Sequence, residues 1–206
     1  MIHVIEDFLT KSQQDNLEKV LLDRHIEWRY YPGTCKKDLQ SRDIMRFRED
    51  TQTKDHAQFV HILKDSQENT SEFYPLIENF LNIVNSKAGK EFNHIHRAKI
   101  NLQLSSLTHA NNTHNMAHVD IIVPKDMIGK CMSLLYYVND SDGDTVFFNQ
   151  YHGDKTDLTI NTTKAPKKGT AVLFDSNMYH ASSVPVKSKH RVVINLVLTE
   201  DSFTIS

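Results

Sequence analysis

Downstream of Lys90 the chain breaks into eight short strand-like segments, at about 94–105, 117–123, 131–138, 144–149, 157–162, 170–174, 179–184 and 191–199. They are rich in Val, Ile, Leu, Phe and Tyr and are separated by Gly, Asn, Asp and Pro-Lys turns. Those turn residues supply positive φ, local side-chain hydrogen bonds or a preset φ. Many short strands at even spacing suit a sandwich or jelly roll, and the missing intervening helices argue against a parallel α/β sheet. The expected fold class is therefore mainly β (α+β): a jelly-roll, cupin-like core over residues 94–200, supported by residues 1–93.

The first ninety residues read differently. Residues 2–5 form a short strand, and Thr10-Lys11-Ser12-Gln13 is a capping-box pattern opening a helix to about Arg24, with Leu17, Val20 and Leu21 buried. Ile26 to Tyr31 reads as a strand stopped by Pro32-Gly33, with Trp28 as a core anchor. From Thr34 to about Gln58 the chain is charged and aperiodic, which fits a solvated loop or a substrate lid. Ser71 caps a second expected helix to about Lys87, burying Phe73, Leu76, Ile77, Phe80, Leu81 and Val84, with Gly89 as C-cap. Both helices are expected outside the larger sheet.

At 206 residues the chain suffices for one well-buried core, so a single domain spanning 1–206 is expected. A net charge of −2 leaves no basic footprint for nucleic acid. Cys35 and Cys131 are far apart, so neither a disulfide framework nor a zinc knuckle is indicated, and Cys131 reads as a buried small hydrophobe. No signal peptide and no apolar run of membrane-spanning length are evident, so a cytoplasmic protein without a membrane partner is expected.

Within the strand-like region lies Ala117-His118-Val119-Asp120-Ile121-Ile122-Val123. Strand alternation sends His118 and Asp120 to one face and Val119 to the other. One imidazole and one carboxylate on a common face offer two of the three ligands of a 2-His-1-carboxylate triad, which holds non-haem Fe(II). With 12 histidines the pattern also arises by accident, and it recurs at His152-Gly153-Asp154. That second copy sits among Asn149, Gln150, Lys155, Thr156 and Asp157, a polar loop, so the first copy is preferred. His180, after a turn closing Ala171-Val172-Leu173-Phe174, is the candidate third ligand. Arg191, eleven positions later, opens the apolar strand Val192–Leu198. A guanidinium there needs a partner, because burying it unpaired is costly. The carboxylate of a bound co-substrate would meet it with a bidentate pair.

These residues resemble the Fe(II)/2-oxoglutarate-dependent dioxygenases, in their prolyl 4-hydroxylase-like branch. The family's His-x-Asp…His-x10-Arg signature is matched by His118, Asp120, His180 and Arg191. Cys131–Asn139 is similar to the tyrosine-pair strand of oxygen-sensing prolyl hydroxylases. Asp142–Phe148 is similar to a Gly-Gly-x-Thr-x-Phe strand, with Asp142 in place of the first glycine, and Lys164–Phe174 to the strand preceding the distal histidine. The likeness runs from about Lys99 to Leu198 and implies a double-stranded β-helix.

The resemblance implies that His118, Asp120 and His180 are the metal ligands and that Arg191 and Tyr137 share the distal carboxylate of 2-oxoglutarate. Thr145 would assist. The tyrosine usual ahead of the iron strand is absent, so Asn101, Gln103 and Asn195 are the candidates near the other carboxylate. His109 and His114 stand either beside the metal or exposed on a loop. Implied co-substrates are 2-oxoglutarate and O2, with Fe(II) as metal. The implied reaction hydroxylates an unactivated C–H bond, releasing succinate and CO2. A protein or peptide side chain such as proline is the expected substrate, with a small-molecule hydroxylase or a nucleic-acid demethylase as alternatives. From another class, a cupin-like metal-binding or sugar-binding module without turnover would have no use for Arg191 and Tyr137.

Overall fold

A computed structural model describes residues 2–34, 55–65, 70–107, 114–123 and 127–200. Most of the charged 34–58 stretch, Cys35 and His109 lie outside the described residues. The first elements are β1 (Ile2–Ile5), α1 (Lys11–Leu21), β2 (Arg29–Tyr31) and β3 (Gln58–Lys64). After these come α2 (Phe80–Ala88), β4 (His94–Leu104), β5 (Cys131–Tyr137) and β6 (Thr145–Tyr151). The chain closes with β7 (Ile160–Lys164), β8 (Ala171–Asp175), β9 (Met178–Ser182) and β10 (His190–Thr199).

Two antiparallel sheets face each other. The larger has the order β1-β8-β5-β10-β4-β3-β2 and the smaller β7-β6-β9. This is the double-stranded β-helix arrangement that the family resemblance implies, and it agrees with the jelly roll expected from the strand spacing. Both helices lie outside the larger sheet. There Leu17, Leu21, Phe80 and Val84 pack with Ile100, Leu134, Tyr136 and Ile194 from the sheet's outer face. Between the sheets lies a second cluster of Leu135, Tyr137, Phe147, Val172, Phe174, Met178 and Val193.

The capping box at Thr10 forms as expected: its side chain accepts from Gln13 N–H, and the Gln13 side chain accepts from Thr10 N–H at 3.0 Å. The helix ends at Leu21, short of Arg24, with Val20 only half-buried. Gly89 closes α2 at φ 60°, the left-handed conformation glycine adopts without a Cβ penalty.

The structure differs from the sequence reading at four places. The helix expected from residue 72 is α-helical only from Phe80, because Pro75 has no N–H to give Ser71 O. Tyr74 N–H takes that carbonyl at 3.0 Å instead, and the chain tightens into a 3-10 turn at Tyr74–Leu76. Phe73, Leu76 and Leu81 are consequently only half-buried beside buried Ile77, Phe80 and Val84. The 58–64 segment, unassigned from sequence, is strand β3, whose pairing with β4 overrides its polar interruptions. Finally, 117–123 is no strand: it meets β9 at one isolated bridge, His118 to His180. Asn115, His118 and Asp120 give their N–H groups to the carbonyls of Ser182, His180 and Ser176. The step from 180 to 176 takes the segment off the β9 ladder and onto the turn after β8. The Ile26–Tyr31 strand is likewise reduced to β2, with Trp28 half-buried against the outer core.

Candidate metal centre

The loss of regular pairing at 117–123 does not disturb its side-chain parity. Ala117 and Val119 pack with Val146, Phe148, Tyr179 and Ala181 on the outer face of the small sheet. His118, Asp120 and His180 turn inward, and their ligating atoms all lie within 4.8 Å of one another. Among the described residues no other group of three or more His, Cys, Asp or Glu meets in this way. His180 Nε2 stands 3.6 Å from Asp120 Oδ2, and the two imidazole centroids are 4.6 Å apart.

Each histidine is oriented by its own backbone. His118 Nδ1 lies 3.1 Å from Met116 O, and His180 Nδ1 lies 3.1 Å from Met178 O. A carbonyl can only accept, so each Nδ1 carries the proton and each Nε2 presents a lone pair inward, as metal-bound imidazoles do. Burial, then the neighbouring His180, holds the His118 imidazole down at about 3, and burial likewise lowers His180. For Asp120 burial pushes the other way, but His180, Arg97 and Lys99 outweigh it and hold the carboxyl well below the usual range. Neutral imidazoles beside an ionised carboxylate are the protonation states that a divalent cation requires. The donor set, two nitrogens and one oxygen on one side, fits Fe(II) with coordination positions left open.

Asp120 is 2% exposed and receives three donors, all from the large sheet. Arg97 NH2 and Asn195 Nδ2 donate to Oδ1 at 2.9 and 3.0 Å, and Ser133 Oγ donates to Oδ2 at 2.6 Å. Strand register explains the meeting. Along the inner face β10 pairs Val197 with Arg97 of β4 and with Ser133 of β5, one alternation step from Asn195. Sequence reasoning missed Arg97 and Ser133. The signal available was alternation in β4, which sets Arg97, Lys99, Asn101 and Gln103 on the same face.

Arg191 lies four residues from Asn195 along β10 and is 3% exposed. Its Nε donates to Gly143 O at 2.8 Å, NH2 to Thr145 Oγ1 at 2.8 Å, and NH1 more weakly to Gln103 Oε1 at 3.4 Å. Among the described residues no carboxylate bonds it. Tyr137 OH donates to the same Thr145 Oγ1 at 2.9 Å, so Arg191, Tyr137 and Thr145, the three residues that the resemblance groups, meet at one oxygen. A single cavity joins this point to the triad, lined by His118, His180, Asn101, Thr145, Arg191 and Asn195, with Thr34, Gln58 and Ser182 also on its wall. Asn101 and Asn195 each bury an Oδ1 without a hydrogen-bond partner.

The departures from the family pattern have local reasons. Gly143 has no room for a side chain: a Cβ would stand 2.6 Å from Ser183 O and 3.0 Å from Arg191 Cδ. Asp142, in place of the first glycine, accepts N–H bonds from Val186, Lys187 and Ser188 at 3.2, 2.8 and 2.9 Å, closing the loop before Arg191. His152 and Asp154 lie in the turn after β6, where Asp154 caps Tyr151 N–H at 2.8 Å. His114 packs against Phe148 at 5.3 Å and bonds Asn115 O, away from the metal group. Cys131 is buried, and burial pushes its thiol up to about 11.

Residues 102–198 match the profile of the 2OG-Fe(II) oxygenase superfamily. The matched stretch runs from the end of β4 to β10 and includes His118, Asp120, His180 and Arg191. Fe(II), 2-oxoglutarate and O2 are the superfamily's metal and co-substrates, and the matched enzyme class is an oxidoreductase. Among curated proteins no sequence relative matches. In fold the chain is similar to a 2OG-Fe(II) oxygenase-family oxidoreductase from Burkholderia pseudomallei, at 12% identity and TM-score 0.58 over 98% of this chain and 86% of that one. It is also similar to the epimerase SnoN from nogalamycin biosynthesis, at 11% identity and TM-score 0.61 over 97% and 78%. A prolyl hydroxylase from Trichoplax adhaerens, in complex with a hypoxia inducible factor oxygen degradation domain peptide fragment, matches at 13% identity and TM-score 0.53 over 97% and 83%. No helix among the described residues is long and apolar enough to cross a membrane.

Proposed function

We propose that the whole chain is one 2-oxoglutarate/Fe(II) oxygenase domain that hydroxylates an unactivated C–H bond of a protein or peptide side chain, proline being the first candidate. The observation that carries the co-substrate assignment is Arg191. A fully buried guanidinium bonded, among the described residues, only to neutral acceptors, at the end of a cavity whose other end holds the His-Asp-His group, is built for an anion that the described residues do not supply. A passive metal module has no use for it.

His118 and His180 would hold Fe(II) through Nε2, and Asp120 through a carboxylate oxygen. Arg191, with Tyr137 and Thr145, would hold the distal carboxylate of 2-oxoglutarate. Bound together, the metal, 2-oxoglutarate and O2 supply the oxidising power, releasing succinate and CO2. The side chains bind, orient and exclude water, and no general acid or base is required. Asn101 and Asn195 line the cavity between the two poles; Asn195 keeps its amide nitrogen on Asp120 Oδ1, whereas Asn101, with its amide flipped so that the nitrogen takes the place of the partnerless Oδ1, can donate to the remaining carboxylate of the co-substrate.

The peptide reading draws on the tyrosine-pair and Thr145 strands and on a fold shared with a peptide-bound prolyl hydroxylase. A small-molecule substrate is the second reading, favoured by the fold shared with SnoN. The net charge of −2 speaks against a nucleic-acid substrate. The test incubates anaerobically prepared protein with Fe(II) and 2-oxoglutarate, admits O2 and follows succinate with and without proline-containing peptides. Peptide-stimulated succinate with a 16 Da gain on the peptide is expected. Succinate without peptide stimulation would remove the peptide reading, and no succinate at all would remove the enzyme reading.

A further inference from the structure

The carboxylate of Asp120 is wrapped more tightly than its two histidine companions. We infer that Arg97 is a positioning residue for the metal: with Asn195 it occupies Asp120 Oδ1, so that Oδ2, beside His180, is the oxygen presented to the ion. This rests on the reading of His118, Asp120 and His180 as metal ligands.

The oxygens of Asp120 are unequal. Oδ1 accepts two hydrogen bonds, from a guanidinium at 2.9 Å and from an amide at 3.0 Å. Oδ2 accepts one, from Ser133, and faces His180 Nε2 at 3.6 Å. A carboxylate oxygen has two lone-pair directions. Both of Oδ1's are taken and one of Oδ2's remains, so the carboxylate is prepared to bind through a single oxygen. A two-oxygen grip would use up a coordination position that a chelating co-substrate and O2 need.

Arg97 itself supports the assignment. Its side chain is 26% exposed, its Nε is buried without a hydrogen-bond partner, and the one ion pair it makes among the described residues is with Asp120. A surface-seeking side chain drawn inward, with one donor left idle, is held there by that carboxylate. Electrostatics alone would give the opposite effect on metal binding, since a guanidinium beside the site repels a cation. The two effects therefore differ in sign. If Arg97 only neutralises Asp120, removing it strengthens metal binding; if it orients the carboxylate, removing it weakens binding.

The experiment titrates metal-free protein with Co(II) at fixed pH without oxygen, and needs no turnover. Arg97→Met, which keeps the length and loses the donors, is expected to weaken Co(II) binding about 10- to 100-fold, the usual loss when a ligand's supporting partner is removed. Arg97→Lys keeps the charge without the planar fork and is expected to recover part of the loss. In an Asp120→Gly background the same Arg97→Met change is expected to have no further effect. Should Arg97→Met fail to fold by thermal melting, Arg97→Gln carries the same expectation. Affinity equal to or tighter than wild type in the neutral variant, or an equal loss in the Asp120→Gly background, overturns the inference. Wild type that binds no Co(II) overturns the metal-site reading with it, whereas wild-type binding with an unaffected Arg97 variant overturns only the inference.

Discussion

Arg191→Ala separates an oxygenase from a metal-binding module through a side chain that does not touch the metal. The guanidinium has five N–H donors. The fold uses one each on Gly143 O, Thr145 Oγ1 and Gln103 Oε1. That leaves two donors, the number a bidentate carboxylate takes. If Arg191 holds 2-oxoglutarate as proposed, removing the side chain would strand the distal carboxylate in a buried site without its counter-charge. Truncating one member of a buried charge pair costs about 2–5 kcal/mol. At about 1.4 kcal/mol per tenfold, that is a loss of roughly 30-fold to several thousand-fold in 2-oxoglutarate affinity. Arg191→Lys keeps the charge without the fork and should fall between. Tyr137→Phe should lose about tenfold or less, because the phenol donates its single proton to Thr145 already. The assay is an oxygen-free titration of the Fe(II) protein with 2-oxoglutarate, read on the metal-to-ligand absorption band, beside a Co(II) titration that should be nearly unchanged. An Arg191→Ala protein that titrates like wild type, or a wild type without a band, refutes the co-substrate assignment.

Three further outcomes are expected. Gly143→Ala puts a Cβ 2.6 Å from the Ser183 carbonyl, so it should lower stability by about 1–3 kcal/mol in thermal or urea unfolding and weaken 2-oxoglutarate binding with it. Burial raises the Asp142 carboxyl, but the Ser188, Lys187 and Val186 donors outweigh it and hold it at about 2 against an ordinary 3.8. A depressed folded-state value means a contribution present above 3.8 and lost as pH falls toward about 2, so Asp142→Asn should flatten that acid limb of the unfolding curve; an unaltered limb assigns it to other carboxylates. His152→Ala and Asp154→Ala should leave Co(II) affinity at the wild-type value, and a loss at either would reopen the second His-x-Asp as the site.

What the chain reveals of itself is local. Parity puts His118 and Asp120 on one face because successive side chains alternate wherever the backbone is extended, and it survives although 117–123 joins no ladder. The capping box at Thr10 and the glycine closing α2 are legible for the same reason, since each is set within a few residues. Arg191 announced itself as a charge opening an apolar strand, and a buried charge demands a partner wherever the strand goes. Pro75 was equally readable, and the helix expected across it shows how easily one residue's missing N–H is outvoted by an apolar stripe.

Tertiary structure alone decided which distant strands lie side by side. Strand β3 exists because β4 pairs with it, although its own sequence alternates poorly. Arg97 and Ser133 meet Asp120 across 23 and 13 positions of chain. They do so only because β10 sets β4 and β5 on either side of Val197 in one register. A one-residue slip of either strand would turn those side chains to the opposite face. The pairing of His118 with Asp120 could be read from alternation within a segment; the donors to the Asp120 carboxylate depend on hydrogen-bond register between segments, which no single stretch of sequence contains.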